Sequence, residues 1–168
     1  MCLNITMKKN LKLKKLGFVE LIQFHKWEKQ LDKSDINVRY SLLYVAPGGL
    51  LQKIAKLKSK KTRKSFVLYN KRTLCGWCFY DLVNKNNQTI VYVNSLFIHP
   101  KLQDRGYGKQ FLKMIFEDLA KKNIKADYLE VLVDYENKSG INFFESFSLY
   151  FFSCFSLLFS IFIYKHIF

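Results

Sequence analysis

The segment 103–109 (QDRGYGK) has the composition of an anion-binding loop, and it lies between a strand-like run and a helix-like run. Backbone N–H groups at the start of a helix have no partner within it and point toward a bound anion, while the helix dipole adds partial positive charge. Gly106 and Gly108 let the backbone approach such a ligand closely. Arg105 and Lys109 supply full positive charge beside it. The order of these residues predicts a cradle for a pyrophosphate.

The hydrophobic pattern predicts the elements that must position this loop. Three strand-like runs joined by polar turns precede the loop and indicate an antiparallel meander. Apolar residues recur on one helical stripe after it, and a fourth strand-like run and a short helix follow. A strand, a glycine loop, a helix and a strand in series make a βαβ unit. The sequence therefore predicts an α/β fold with a mixed sheet, in which the meander is followed by a parallel pair. The predicted elements are strands 65–69, 74–83, 89–98 and 128–133 and helices 108–122 and 138–147.

A second block of residues follows the predicted fourth strand. Its members are Asn137, Gly140, Phe143, Phe144 and Glu145. The loop and this block together resemble the GNAT superfamily of acetyl-CoA-dependent N-acetyltransferases. In that superfamily the acetyl-CoA loop reads Arg/Gln-x-x-Gly-x-Gly/Ala, and the later block reads Asn-x-x-Ala-x-x-(apolar)-Tyr-Glu. The resemblance covers residues 65–149, and it implies a GNAT-like fold and an N-acetyltransferase activity.

The resemblance implies acetyl-CoA as the co-substrate and no metal. Members of the superfamily bind its pyrophosphate with the loop. The strand before the loop leaves its neighbour and pairs with the pantetheine arm through free backbone groups, and the asparagine of the later block helps to hold the same arm. A backbone N–H of Phe97 or Ile98 is then placed to polarise the thioester carbonyl. Carried onto this sequence, the cofactor-binding residues are Leu96, Phe97, Ile98, Gln103, Asp104, Arg105, Gly106, Tyr107, Gly108, Lys109, Asn137 and Phe144.

The later block departs from the superfamily at Phe144, which replaces the tyrosine that contacts or protonates the thiol. A phenol can donate a proton to a leaving thiolate, and a phenyl ring cannot. Catalytic subunits of some N-terminal protein acetyltransferases are similar in having two phenylalanines there, with Tyr and Glu on the strand before the loop. The matching positions here are Tyr92 and Ser95. The catalytic candidates are therefore Tyr92, Ser95 and Glu130, while Glu130 also fits an exposed strand residue without a catalytic role.

Composition limits the partners and the compartment. The 168 residues suffice for one domain, and 28 Lys+Arg against 13 Asp+Glu give a formal net charge of +15. A surface with this charge attracts a phosphate-bearing co-substrate, or its basic residues are solvated and bind no specific partner. The basic residues are scattered rather than interleaved with a stacking platform, so no specific nucleic acid is expected. The four cysteines form no spaced framework, which favours a reducing compartment, the cytoplasm or the nucleus. The three histidines have no partners at metal-ligand spacing, so no metal site is expected.

The sequence predicts three parts: a basic, flexible N-terminus at 1–15, an acetyltransferase domain at 16–149 and an apolar tail at 150–168. The run 146–164 has no charged residue and is long enough to span a bilayer. The last hairpin that the resemblance implies is not recognisable, so this apolar segment is expected to replace it. Three interpretations remain open: a membrane anchor, a buried helix or long strand, and translated AT-rich non-coding sequence.

Two functions from different classes remain open at this point. The first is the transfer of an acetyl group from acetyl-CoA to an amine, such as a protein N-terminus or a lysine. The second is a catalytically degenerate acetyl-CoA-binding module, anchored to a membrane if 146–164 is a spanning helix. Phe144 and Ser95 favour the second function, and the complete glycine loop fits both.

Overall fold

The computed structural model describes residues 10–30, 63–134, 136–155 and 160–166. Within these ranges the chain forms six strands, three helices and one short 3₁₀ turn. The elements are β1 (Leu11–Lys15), α1 (Phe18–Gln30), β2 (Arg63–Asn70), β3 (Thr73–Lys85), β4 (Gln88–Ile98), the 3₁₀ turn (Pro100–Leu102), α2 (Tyr107–Lys121), β5 (Tyr128–Asp134), α3 (Lys138–Phe155) and β6 (Ser160–His166).

The six strands form one mixed sheet in the order β1-β2-β3-β4-β5-β6. Neighbours from β1 to β4 are antiparallel, while β4 with β5 and β5 with β6 are parallel pairs. Parallel neighbours need a crossover connection, and α2 and α3 lie in the two crossovers. The predicted meander followed by a βαβ unit is confirmed, and each predicted strand lies within the bounds of an observed one.

Tight turns set the register of the meander. Asn86 and Asn87 join β3 to β4, and both have positive φ, 52° and 60°. A two-residue hairpin of type I′ requires positive φ at both central positions, and asparagine tolerates that conformation better than most residues. Lys71 has a φ of 55° in the turn between β2 and β3. These turns fix which residues of β4 lie opposite β3, and so they place the strand that leads into the glycine loop.

The two faces of the sheet bury two separate hydrophobic clusters. Alternate residues of a strand point to opposite faces, so Cys78 and Tyr80 of β3 belong to one cluster while Trp77 and Phe79 belong to the other. Helices α2 and α3 cover the first face, which holds the larger cluster. Helix α1 covers the second face. The buried residues of α2 are Tyr107, Gln110, Phe111, Leu112, Ile115 and Leu119.

The N-terminal segment differs from the prediction. Residues 1–15 were expected to be flexible, but Leu11–Lys15 is β1 and pairs with β2. Leu11 and Leu13 pack against the larger cluster, while Lys12 and Lys14 point the other way. This two-residue alternation suits a strand that is half-buried, and the high lysine content hid it.

The run 146–164, for which a membrane anchor was one of three interpretations, does not form one continuous helix. Helix α3 continues from Lys138 to Phe155, and the chain then forms β6, which pairs in parallel with β5. Among the described residues no helix is long and apolar enough to cross a membrane. A continuous apolar run suits either a strand or a helix, so its periodicity does not separate the two. The expected replacement of the last hairpin therefore consists of the end of one helix and one strand.

Candidate functional site

The glycine loop leads directly into α2, and its backbone geometry makes an anion site. Gly106 is the N-cap residue of α2, with a φ of 78°. The backbone N–H of Gln110 donates to the carbonyl oxygen of Gly106 at 3.1 Å, which is the first bond of the helix. The N–H groups of residues 107, 108 and 109 therefore have no acceptor within α2. The backbone N–H groups at a helix start and the positive end of the helix dipole favour a bound phosphate here.

The two glycines of the loop serve different purposes. A Cβ atom at Gly106 would meet no atom within 4 Å, so its surroundings are open and only its positive φ demands glycine. A Cβ atom at Gly108 would lie 2.8 Å from Cε2 of Phe143. Gly108 therefore lets a ring of α3 pack against the first turn of α2. The open space beside Gly106 is the place where a phosphate can approach the backbone.

Gln103 joins the loop to the end of β4. Its side-chain Nε2 donates to the carbonyl oxygen of Ile98 at 2.9 Å, and its backbone N–H donates to the carbonyl oxygen of Pro100 at 3.2 Å. The side chain that was predicted to contact the co-substrate is thus used to fix the loop. Asp104 follows with a φ of 56° and, like Arg105, is exposed.

Tyr107 is the loop residue whose side chain points away from the open space. It is buried, and its hydroxyl accepts a 2.8 Å hydrogen bond from Nδ2 of Asn70 at the end of β2. In the predicted binding of the cofactor, Tyr107 would therefore take part through its backbone N–H and not through its side chain. The side chain instead ties the start of α2 to the sheet.

Strands β4 and β5 pair over only part of their length. Ile90–Val93 pairs with Tyr128–Val131. Beyond these residues β5 pairs with β6 as far as Asp134, whereas the described part of the chain gives β4 a partner on its β3 side alone. The last residues of β4 therefore border a cleft that opens toward the glycine loop.

Backbone direction shows which groups of β4 face this cleft. The N–H of His99 donates to the carbonyl oxygen of Cys75 at 2.8 Å, so residue 99 directs its backbone toward β3. Backbone groups of alternate residues in a strand point to the same side. Phe97 thus faces β3, while Leu96 and Ile98 face the cleft. Of the predicted residues 96–98, only two can offer backbone groups to a ligand in the cleft, and the carbonyl of Ile98 already accepts from Gln103.

The catalytic candidates lie on the α1 face of the sheet. Tyr92 is the register partner of Asp81 on one side and of Glu130 on the other, so the three side chains form a row across three strands. Val91 and Val93 of β4 belong to the opposite face. Ser95 is buried, and its hydroxyl oxygen accepts a 3.3 Å hydrogen bond from Nε1 of Trp77. The structure thus brings Tyr92 and Glu130 together and places Ser95 farther along the same strand.

Three polar residues of this face were missed in the sequence. Asp81 is buried, and its Oδ2 accepts from Nδ2 of Asn94 at 3.1 Å and from Nη2 of Arg63 at 3.4 Å. Asn94 is the extra residue of a β-bulge, because Tyr80 pairs with Val93 while its neighbour pairs with residue 95. An aspartate within the otherwise apolar run 74–83 was the signal that could have revealed this cluster.

The second block of the sequence forms the start of α3. Asn137 caps the helix, since its Oδ1 accepts a 2.8 Å hydrogen bond from the N–H of Gly140. A Cβ atom at Gly140 would lie 2.8 Å from Nδ2 of Asn137, so the capping side chain packs closely against this glycine. Phe144 is buried and meets the ring of Phe143 edge-on, with centroids 4.9 Å apart. The ring of Phe144 therefore provides a packing surface, but it has no hydroxyl that could donate a proton.

The site residues fit an acetyl-CoA molecule. The helix start and the open space at Gly106 suit its pyrophosphate, and the cleft-facing backbone of β4 suits an amide-containing arm. Within the described ranges no group of three His, Cys, Asp or Glu side chains could hold a metal ion. Cys75 and Cys78 are buried on β3 and are not joined by a disulfide bond, and burial raises the pKa of the Cys78 thiol.

Comparison with known proteins gives a family and a fold. A family model described as the acetyltransferase (GNAT) family matches residues 23–148. Searching curated proteins gave no match. An aminoglycoside acetyltransferase, meta-AAC0020, from an uncultured soil metagenomic sample has a similar structure, with a TM-score of 0.59 and 17% identity over 83% of this chain and 88% of that one.

Two further solved structures show the same fold. The ribosomal-protein-alanine N-acetyltransferase of Brucella melitensis biovar Abortus 2308 has a TM-score of 0.60 and 9% identity, covering 82% of this chain and 89% of that one. The enzyme AAC(6')-Iy, solved with a bisubstrate analog CoA-S-monomethyl-acetylneamine, has a TM-score of 0.56 and 14% identity, covering 82% of this chain and 89% of that one.

Proposed function

Because the chain belongs to the GNAT acetyltransferase family, we propose that it transfers the acetyl group of acetyl-CoA to the nitrogen of an amine. One observation carries this proposal. The first backbone N–H groups of α2 follow directly on the strand whose outer edge borders the cleft. A pyrophosphate bound at Gly106 would therefore have its attached arm directed along β4, toward Asn94 and Tyr92.

The proposed roles follow from the atoms that face the cleft. The N–H groups of residues 107–109 hold the pyrophosphate, with Arg105 and Lys109 adding positive charge. Leu96 and Ile98 present backbone groups to the pantetheine arm, and the N–H of Ile98 polarises the thioester carbonyl. Asn137 retains its Nδ2 donor for the same arm, since Oδ1 is used in the cap. Tyr92, Ser95 and Glu130 line the acceptor side of the sheet.

The acceptor that we propose is a primary amine, on a protein N-terminus or on a lysine. Structural relatives at low identity acetylate different amines, as their names record: an aminoglycoside in one case and a ribosomal-protein alanine in another. Shared fold does not choose between such acceptors. A cytoplasmic or nuclear location is consistent with the buried thiols of β3, which form no disulfide bond with each other.

A second candidate function is an acetyl-CoA-binding module without transferase activity. Two observations favour it. Phe144 offers no phenol, and the hydroxyl of Ser95 is already bonded to Trp77. Both candidates predict acetyl-CoA binding, but only the first predicts acetylated product when amines are supplied.

Calorimetric titration of acetyl-CoA into the wild type and Gly106→Glu tests the shared prediction. A carboxylate at the open position would repel the pyrophosphate and occupy its space. Asn87→Glu is the matched control, because Asn87 also has positive φ and is exposed, but it lies at the other end of β4. We expect micromolar binding that is lost in Gly106→Glu and kept in Asn87→Glu. A folded wild type that binds no acetyl-CoA would contradict both candidates.

A further inference from the structure

Asp81 is a buried carboxylate in the middle of β3, on the face of the sheet that carries Tyr92 and Glu130. Burying a carboxylate is costly unless donors compensate for the lost water. Here the donors are Arg63 on β2 and Asn94 on β4, and the side chains of Asp81 and Arg63 are 10% and 13% exposed. The carboxylate is therefore fixed in place by a strand on each side.

Asn94 connects this carboxylate to the cleft. Pairing between β4 and β5 ends at Val93, so the bulged residue Asn94 lies at the point where the two strands separate. Its Nδ2 donates to Oδ2 of Asp81 at 3.1 Å and lies 3.3 Å from the carbonyl oxygen of Tyr92. The side chain of Asn94 therefore connects the carboxylate of Asp81 to the point where β4 and β5 separate and the cleft begins.

Glu130 is the other carboxylate in the row and is held differently. It lies across Tyr92 from Asp81 and is only half-buried. A group that removes a proton from a bound substrate has to be held within hydrogen-bond reach of it, and fixed geometry contributes a large part of catalysis. Burial and two donors on neighbouring strands give Asp81 that fixed geometry.

Resting on the proposed transferase function, we propose that Asp81 is the group that takes the proton from the attacking amine. The lone pair of the amine nitrogen forms the new C–N bond at the thioester carbonyl carbon. The C–S bond breaks, and the sulfur leaves with its electron pair as a thiolate. The proton lost by the nitrogen passes to the carboxylate of Asp81, directly or through a water, and then returns to the thiolate or to solvent. No oxidant or reductant is required.

Arg63 is a positioning residue in this scheme. Its guanidinium lies beside Oδ2 of Asp81, and its buried Nε has no hydrogen-bond partner among the described residues. A guanidinium hydrogen-bonded to a carboxylate fixes the orientation of its oxygens. Tyr92 and Asn94 of β4 also face Asp81.

The test compares Asp81→Asn with the wild type and with Asp127→Asn. Asp127 is a matched control, because its Oδ2 accepts a 2.8 Å bond from the N–H of Thr89 at the opposite end of β4. Three quantities are measured: the Kd of acetyl-CoA, the midpoint of thermal unfolding, and the rate of acetylation of a pool of lysine-containing peptides with free N-termini. Hydrolysis of acetyl-CoA is followed in parallel, with water as the nucleophile.

We expect Asp81→Asn to keep the Kd of acetyl-CoA and to lose about 100-fold or more in kcat, as removal of a general base does. Asp127→Asn should keep both. Turnover by Asp81→Asn within a few-fold of wild type would overturn the assignment while leaving the transferase function intact. A wild type that binds acetyl-CoA but neither transfers nor hydrolyses its acetyl group would contradict both the role of Asp81 and the transferase function.

A second variant covers the case in which Asp81→Asn does not fold. Asp81→Glu keeps the negative charge and the bond to Arg63 but moves the carboxylate along by one methylene. We expect it to fold, to bind acetyl-CoA normally and to turn over more slowly than wild type. Wild-type turnover by a folded Asp81→Glu would show that the position of this carboxylate has no part in proton transfer.

Discussion

The side-chain amide of Gln103 donates a 2.9 Å hydrogen bond to the carbonyl oxygen of Ile98. This bond joins the first residue of the glycine loop to the last residue of β4. The loop holds the anion site, and the strand borders the cleft. A single amide therefore fixes the separation between the two parts of the site that acetyl-CoA must bridge.

Gln103→Ala should weaken acetyl-CoA binding through loss of this bond. A hydrogen bond of this kind contributes about 0.5–1.5 kcal/mol, which corresponds to a rise in Kd of roughly 2- to 10-fold. Calorimetry measures the change. Gln88→Ala is the control, since Gln88 donates its amide to the hydroxyl of Tyr128 at 2.7 Å on the exposed end of the sheet. Equal Kd values for Gln103→Ala and Gln88→Ala would show that the loop keeps its place without Gln103.

Gly76→Ala should disturb the cleft strand from the opposite side. A Cβ atom at Gly76 would lie 2.0 Å from the backbone carbonyl oxygen of Phe97, which cannot move without displacing β4. Overpacking of this kind costs about 1–3 kcal/mol or more. Urea unfolding measures the loss of stability, and acetyl-CoA titration measures the effect on the cleft.

Gly106→Ala is the comparison for Gly76→Ala, because Gly106 has space for a Cβ atom but a φ of 78°. Its expected cost is about 1–2 kcal/mol, from the left-handed conformation alone. If Gly76→Ala proves no more destabilising than this, then β4 can shift enough to admit the added methyl group with little loss of unfolding free energy.

Glu20 predicts a pH dependence of stability at the start of α1. Burial of its side chain opposes ionisation, but bonds from Lys14, the backbone and Tyr69 outweigh it and hold the pKa of Glu20 below its usual value of 4.5. A group with a lowered folded pKa contributes stability that is present above its unfolded pKa. That stability is lost as the pH falls below 4.5 and through the folded value.

The measurement is the difference in unfolding free energy between the wild type and Glu20→Gln across this acidic range. We expect wild type to be more stable near neutral pH and the difference to shrink as the pH falls. The N–H of Gly17, which donates to Oε2 of Glu20 at 2.9 Å, keeps an oxygen acceptor in the variant. A difference that stays constant with pH would contradict the lowered pKa.

Tyr107→Phe should cost stability without affecting acetyl-CoA binding. The hydroxyl of Tyr107 accepts from Asn70 inside the structure and does not face the open side of the loop. Loss of that bond should lower the unfolding free energy by about 0.5–1.5 kcal/mol. Thermal unfolding and calorimetry measure the two effects on the same samples. A large rise in the Kd of acetyl-CoA would instead place the Tyr107 side chain at the co-substrate.

The strands and the glycine loop were predictable because each has a local signature. Strand-like runs bounded by polar turns marked β2 to β5, and the order of Gln103, Gly106 and Gly108 marked the entry to α2. The tail was harder, since an apolar run suits both a buried strand and a helix. The resemblance to the family indicated acetyl-CoA as the co-substrate, but it did not indicate the acceptor.

The polar contacts of the site were not predictable, because they join residues far apart in the chain. Arg63, Asp81 and Asn94 meet only after three strands take their register, and the bulge at Asn94 depends on a shift that no local pattern marks. Tyr107 shows the same limit, as its partner Asn70 lies on another strand. The local sequence was enough to identify the loop, but the directions in which its side chains point are set by tertiary packing.

The aromatic stack on the α1 face has a spectroscopic consequence. The sequence contains two tryptophans, Trp27 and Trp77, and their ring centroids are 6.1 Å apart. Trp77 is fully buried, stacks on Phe97 at 4.2 Å and donates its indole N–H to Ser95. Both partners belong to the strand that borders the cleft. Ultraviolet emission from the protein therefore originates against that strand, so the molecule carries an intrinsic fluorophore that can follow events in the cleft in real time without a label.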